Sequence, residues 1–173
     1  VMKDFPAAEF TILSSPGHVR IFARAREKTP ARAKALLKKI KIRLFAEFGD
    51  SIYGCGPLLL EEALGNRLRE LSLTAATAES CTGGLVAHRI TRIAGSSDYF
   101  NGGIVAYANT VKNRLLGVKS STLKNHGAVS PECALEMAHG ARKATGAAVG
   151  IATTGIAGPG GATPDKPVGL VYI

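Results

Sequence analysis

The run Thr74-Ala75-Ala76-Thr77-Ala78-Glu79-Ser80-Cys81-Thr82-Gly83-Gly84 decides how this chain folds. Its first five residues are all small, and with Thr and Ala on every position they suit a strand buried on both faces. Glu79 to Gly84 then turns the chain into an apolar helical pattern, Leu85-Val86-Ala87-His88-Arg89-Ile90. A strand, a tight turn and a helix in that order put Ser80 at the carboxyl edge of a parallel sheet. There, unpaired amides at a helix N-terminus attract anions and developing oxyanions.

Downstream, strands and helices keep alternating. A strand around Tyr99 to Tyr107 is followed by a helix with Val111, Leu115 and Leu116 that stops at Gly117. Short helices are expected around Ser120 to Lys124 and over Pro131 to Thr145, the latter with Ser130 as N-cap. Ala147 to Thr153 is again a buried-strand pattern, and it runs into the glycine-rich stretch Thr154 to Gly161. The alternation predicts an α/β fold, a three-layer α/β/α domain with a mainly parallel sheet over residues 74–173.

Upstream, Phe10 to Ser14 and Val19 to Ala25 read as two strands joined at Ser15-Pro16-Gly17-His18. Thr29-Pro30 opens a helix whose apolar stripe is Ala33, Leu36, Ile40, Leu44 and Phe48. A short strand is expected at Ser51 to Gly54, and a second helix from Pro57 carries Leu60, Leu64, Leu68 and Leu71. Residues 1–73 are thus expected to form a small α+β unit preceding the larger domain.

Of 173 residues, 46% are hydrophobic and 20% charged, a globular composition that excludes a disordered chain. Three cysteines at unrelated spacings suggest neither a disulfide framework nor a zinc site, and a reducing cytoplasm fits them. No apolar run has the length of a membrane span, and no secretion signal is read. The chain opens on Val1 and stops within a strand-like run ending at Ile173, which reads as a fragment. The net charge is +9, and ten basic residues from Arg20 to Arg43 face one acid, Glu27. That run is either the wet side of a helix or a surface for nucleic acid or an acidic partner.

Chemistry concentrates at the two glycine-rich loops after buried strands. Neither matches a nucleoside-triphosphate or dinucleotide phosphate loop. Ser80 reads as a nucleophile or as a helix cap, and Cys81 beside it is a rival nucleophile or a packing residue. Lys112 and Tyr107 are candidate partners for the serine proton, the lysine because burial makes an amine a base. Their plain alternatives are a surface lysine and a core wall. Glu79 positions the turn or a ligand hydroxyl. His18, His88, His126 and His139 show no ligand spacing, so no metal site is expected.

From Thr74 onward the chain resembles the C-terminal domain of the CinA family, the competence- and damage-inducible proteins also known as nicotinamide-nucleotide amidases. The matching blocks are Ala78 to Gly84; Gly102-Gly103 with Tyr107 and Lys112; Leu116-Gly117-Val118; Gly127 to Ser130; and Thr154 to Pro159 with Lys166-Pro167-Val168-Gly169. Residues 1–73 resemble the family's KH-type middle domain, most visibly in Phe48 to Gly54, although a Gly-x-x-Gly clamp is absent.

The resemblance implies deamidation of nicotinamide mononucleotide to nicotinate mononucleotide and ammonia, without cofactor or metal. The family's proposed catalytic serine, tyrosine and lysine fall on Ser80, Tyr107 and Lys112. Substrate-binding positions are expected at Glu79, Thr82, Gly83, Gly84, Thr154 and Gly155, with loop amides holding the oxyanion. A homo-oligomer is expected, and a nucleic-acid-binding or assembly module is the alternative reading. Family members continue beyond the final strand into a segment bearing an arginine and a helix.

Overall fold

The computed structural model describes residues 1–173, which divide into two compact units, Val1–Gly56 and Pro57–Ile173. In the first, strands β1 (Ala8–Ser15) and β2 (His18–Ala25) pair antiparallel from Ala8 opposite Ala25 to Ser15 opposite His18. The register leaves Pro16-Gly17 as a two-residue turn, as their turn chemistry predicts. Helix α1 (Pro30–Phe48) starts where expected: the Thr29 hydroxyl accepts from the Arg32 amide at 3.3 Å and Pro30 occupies the first turn. Such a cap contributes about 1 kcal/mol. Ile40 is the one side chain of α1 that is fully buried.

The strand expected at Ser51 to Gly54 does not form. Gly49–Ser51 is a 3₁₀ turn followed by unpaired chain. A strand needs a ladder partner, and β1 and β2 pair only with each other.

The second unit begins at Pro57, earlier than the expected boundary after residue 73. Helix α2 (Leu60–Glu70), which sequence reasoning groups with residues 1–73, belongs to this unit because Leu68 is buried with Ala75, Ile90 and Tyr99. Its remaining elements are β3 (Ala75–Glu79), α3 (Leu85–Thr91), β4 (Phe100–Val105), α4 (Asn109–Leu116), α5 (Ser120–Asn125), α6 (Pro131–Thr145), β5 (Val149–Gly155) and β6 (Val171–Tyr172). The four strands form one sheet in the order β4-β3-β5-β6. β3 is parallel to both neighbours, and β6 runs antiparallel to β5. The chain is therefore an α/β protein with a mostly parallel four-stranded sheet and, before it, a hairpin and a helix.

All five residues of β3 are buried. Ala76 and Ala78 join a cluster with Leu116, Val118, Cys133, Met137 and Ala152, whereas Ala75 joins the cluster of Leu68, Ile90 and Tyr99. Alternate residues of a strand face opposite ways, so this central strand is covered on both faces. Its small side chains let α6 lie close against it. α6 is capped as expected, the Ser130 hydroxyl accepting from the Cys133 amide at 3.2 Å. No helix is long and apolar enough to cross a membrane.

Candidate active site

Ser80 is the first residue beyond β3, held on both sides by the sheet. Its amide donates to the Thr153 carbonyl of β5 at 2.9 Å, and on the other edge the Ala106 amide donates to the Glu79 carbonyl at 2.8 Å. The ends of β3, β4 and β5 thereby bring Ser80, Ala106-Tyr107 and Thr153-Thr154 to one sheet edge. Gly83 and Gly84, at φ 61° and 100°, make the reversal into α3. A side chain at either would be strained there, and at Gly84 a Cβ would also press on Val105 at 3.3 Å.

Lys112 reaches this edge from α4. It is 1% exposed, and its Nζ lies 2.9 Å from Ser80 Oγ while donating to the carbonyls of Ala106 at 2.8 Å and Tyr107 at 3.0 Å. Burial pushes the amine below its ordinary range, opposed by Cys133 and Cys81. A neutral amine has two N–H donors and one lone pair. The two carbonyls take both donors, so in that form the third contact is the Ser80 hydroxyl donating to Nζ. The arrangement is that of a serine with an adjacent base.

Tyr107 enters differently from the motif-based expectation. Its side chain is 76% exposed, its hydroxyl makes no hydrogen bond, and what it gives Lys112 is its backbone carbonyl. Cys133, fully buried on α6, has its thiol pushed up by burial and is a packing residue. Cys81 is partly exposed on the turn itself.

The helix N-terminus does not offer the unpaired amides expected of it. The Glu79 carboxylate, 1% exposed, accepts from the amides of Gly84 at 3.0 Å, Val86 at 2.9 Å and Ala87 at 2.8 Å, and from the Thr82 hydroxyl at 2.6 Å. Burial pushes its pKa up, but these four bonds outweigh burial and hold it below the ordinary range. The amides attract an anion, as the dipole argument says, and the anion is the chain's own. Hydrogen bonds to a charged group contribute about 1.5–3 kcal/mol each. Within the turn, the amides of Cys81 and Thr82 remain without a partner.

Of the other named positions, Thr154 is 1% exposed and its hydroxyl donates to the Ala128 carbonyl at 2.6 Å. Gly155 lies against the backbone of the β6 segment, where a Cβ would meet the Leu170 carbonyl oxygen at 2.7 Å. Thr153 was missed by sequence reasoning: its hydroxyl sits 2.6 Å from that of Thr82. Strand alternation was the available signal, since Thr153 and Thr154 must face opposite ways. Lys166 donates to the carbonyls of His126 at 2.6 Å and Val129 at 2.7 Å, tying the 166–169 block to the 127–130 block. No three His, Cys, Asp or Glu side chains converge as a metal-ligand set.

Residues 58–173 match the family model described as the CinA C-terminal domain. A CinA-like protein of Salinibacter ruber is 46% identical over 173 residues, all of this chain and 41% of that protein. One from Kosmotoga olearia is 50% identical over 155 residues, 90% of this chain and 37% of that protein. The crystal structure of the competence/damage inducible protein CihA from Agrobacterium tumefaciens superimposes with a TM-score of 0.62 at 50% identity, covering 64% of this chain and 67% of that one. The chain spans about two fifths of the length of these curated relatives. The family model takes in all but the first residue of the second unit, and the likeness to whole relatives runs on through the first unit, so the chain belongs to the CinA family.

Proposed function

We propose that the second unit is a serine amide hydrolase that deamidates nicotinamide mononucleotide to nicotinate mononucleotide and ammonia. The observation that carries this reading is the buried pair of Ser80 Oγ and Lys112 Nζ at 2.9 Å, with two carbonyls occupying the amine's donors. In the proposed cycle Ser80 Oγ attacks the carboxamide carbon while Lys112 Nζ takes the hydroxyl proton. The tetrahedral oxyanion is met by the free amides of Cys81 and Thr82, each such donor contributing about 3–4 kcal/mol. Lys112 then returns its proton to the departing nitrogen, ammonia leaves and Ser80 carries the nicotinoyl ester. Water, deprotonated by Lys112, attacks that ester; nicotinate mononucleotide leaves and Ser80 Oγ recovers its proton from Lys112.

Tyr107 builds the base through its carbonyl, and its uncommitted hydroxyl serves the leaving group. The phosphate is not held by the first turn of α3, whose amides Glu79 occupies. The same reading takes the second unit as three layers, α/β/α, because apolar clusters cover both faces of β3, and the first unit as a KH-like module. A nucleic-acid-binding or assembly role has the basic run of the first unit in its favour, but no buried polar constellation comparable to that around Ser80.

The test is ammonia release from nicotinamide mononucleotide. Ser80→Ala and Lys112→Met each lose roughly 10³-fold or more in kcat, as removal of a nucleophile or its base does elsewhere. Cys81→Ala retains activity. Full activity in Ser80→Ala refutes the mechanism, and loss confined to Cys81→Ala transfers the nucleophile to the neighbouring thiol.

A further inference from the structure

We propose that Glu79 is a positioning residue for Ser80, its carboxylate folding the 80–84 turn around itself as an internal anion. The inference rests on the reading of Ser80 as the nucleophile, and concerns what holds that serine in place. Glu79 makes no hydrogen bond to Ser80 Oγ or Lys112, and no step of the proposed cycle uses it. It is nonetheless buried at the centre of the turn with four donors converging on it.

The directions of the bonds follow from chemistry. A carboxylate only accepts, so the single Thr82 hydroxyl proton goes to Glu79. The 2.6 Å contact between Thr82 and Thr153 must then have Thr153 as its donor. The order Thr153 to Thr82 to Glu79 ties β5, the turn and β3 into one chain of hydrogen bonds. The three amides lock the start of α3 from the other side. Between these anchors the Ser80 amide is tied to Thr153 and the Gly83 amide to the Ser80 carbonyl at 3.1 Å. These bonds fix the Ser80 backbone, and from it Oγ reaches Lys112 Nζ at 2.9 Å.

An amide cannot replace this carboxylate. One Glu79 oxygen receives three donors and the other receives the Ala87 amide, so a glutamine must turn its NH₂ against at least one N–H. Alanine leaves a carboxylate-sized space lined by amides, which formate fits.

The experiment measures kcat and KM for ammonia release from nicotinamide mononucleotide in Glu79→Ala, Glu79→Gln and Thr153→Val, with and without formate. It also follows the Lys112 Nζ titration by ¹⁵N NMR in each. Misplacement of a reacting atom by about 1 Å costs up to roughly 10²-fold, so Glu79→Ala is expected to lose about that in kcat with KM little changed. Formate restores it and leaves the parent chain unaffected. Glu79→Gln is impaired and does not respond to formate, because its own side chain fills the space. Thr153→Val, which cuts only the outermost link, shows the smallest loss. Unchanged kcat in folded Glu79→Ala, or a loss that formate does not touch, overturns the proposal. If Glu79→Ala does not fold, Glu79→Gln carries the kcat test. If the parent chain releases no ammonia, the hydrolase reading fails by itself. The positioning role then stands or falls on whether Glu79→Ala shifts the Lys112 titration and formate reverses the shift.

Discussion

Gly140→Ala sets a local rule against a tertiary one. Gly140 lies inside α6, where replacing glycine by alanine in an exposed helix gains about 0.8–1.0 kcal/mol. In this fold the opposite sign is expected. A Cβ at position 140 would press on the Leu116 carbonyl oxygen and lie 2.6 Å from its Cα and 2.7 Å from its carbonyl carbon. Ordinary contact begins at 3.4 Å, so clearing the Leu116 Cα alone needs α6 and the end of α4 to separate by about 0.8 Å, and clearing the carbonyl oxygen needs more. Both partners are backbone, and no rotamer change relieves the overlap. Overpacking of this kind costs about 1–3 kcal/mol, and the upper end applies here. Set against the helix gain, the net loss is about 2 kcal/mol. In urea, followed by far-UV circular dichroism, that lowers the midpoint of the second unit by roughly 1 M at unchanged slope. Lys112 lies one turn before Leu116 on α4, so kcat for ammonia release falls as well. A midpoint equal to or above that of the parent chain refutes the reasoning, because it shows the helices parting without cost.

Further expectations follow from two titrating groups. Lys112 acts as a base only when neutral, and burial holds its pKa below the ordinary 10.5, so kcat rises with pH through that lowered value and is lost as the amine protonates; a flat or falling pH–rate profile contradicts this. Below 10.5 and above the folded value the unfolded chain binds the extra proton, so stability rises with pH across that window, and Lys112→Met removes the rise. Glu61 of α2 receives the Arg89 guanidinium of α3 at 2.6 Å, and that bond holds its carboxyl below the ordinary range. Its contribution is present above the unfolded carboxylate pKa and is lost as pH falls through the folded one, so Glu61→Gln is less stable than the parent at neutral pH and the gap closes in acid. A gap that is independent of pH, measured by urea unfolding at several pH values, contradicts that assignment.

The order of elements was legible because each carries its own local signal. Thr29-Pro30 and Ser130-Pro131 start helices through a side-chain oxygen and a fixed φ, and the all-small run Thr74 to Ala78 announces a strand covered on both faces. Those properties belong to a few consecutive residues, so the amino-acid sequence by itself determined them, together with the family to which the chain belongs. Where an element needs a distant partner, the same reasoning failed. Ser51 to Gly54 has strand-like residues but no ladder to join, and α2 reads as part of the first unit until Leu68 is seen among Ala75, Ile90 and Tyr99. At the candidate site the sequence names Ser80 and Lys112, thirty-two positions apart, but only the parallel pairing of β3 with β4 and the descent of α4 decide that their atoms lie 2.9 Å apart. Tertiary structure likewise decides that Glu79 faces inward onto the amides of α3, that Tyr107 contributes its carbonyl, and that Thr153 joins the turn. A hydrogen bond is specified by direction and distance to within a fraction of an ångström, and no local pattern of residue types contains that information.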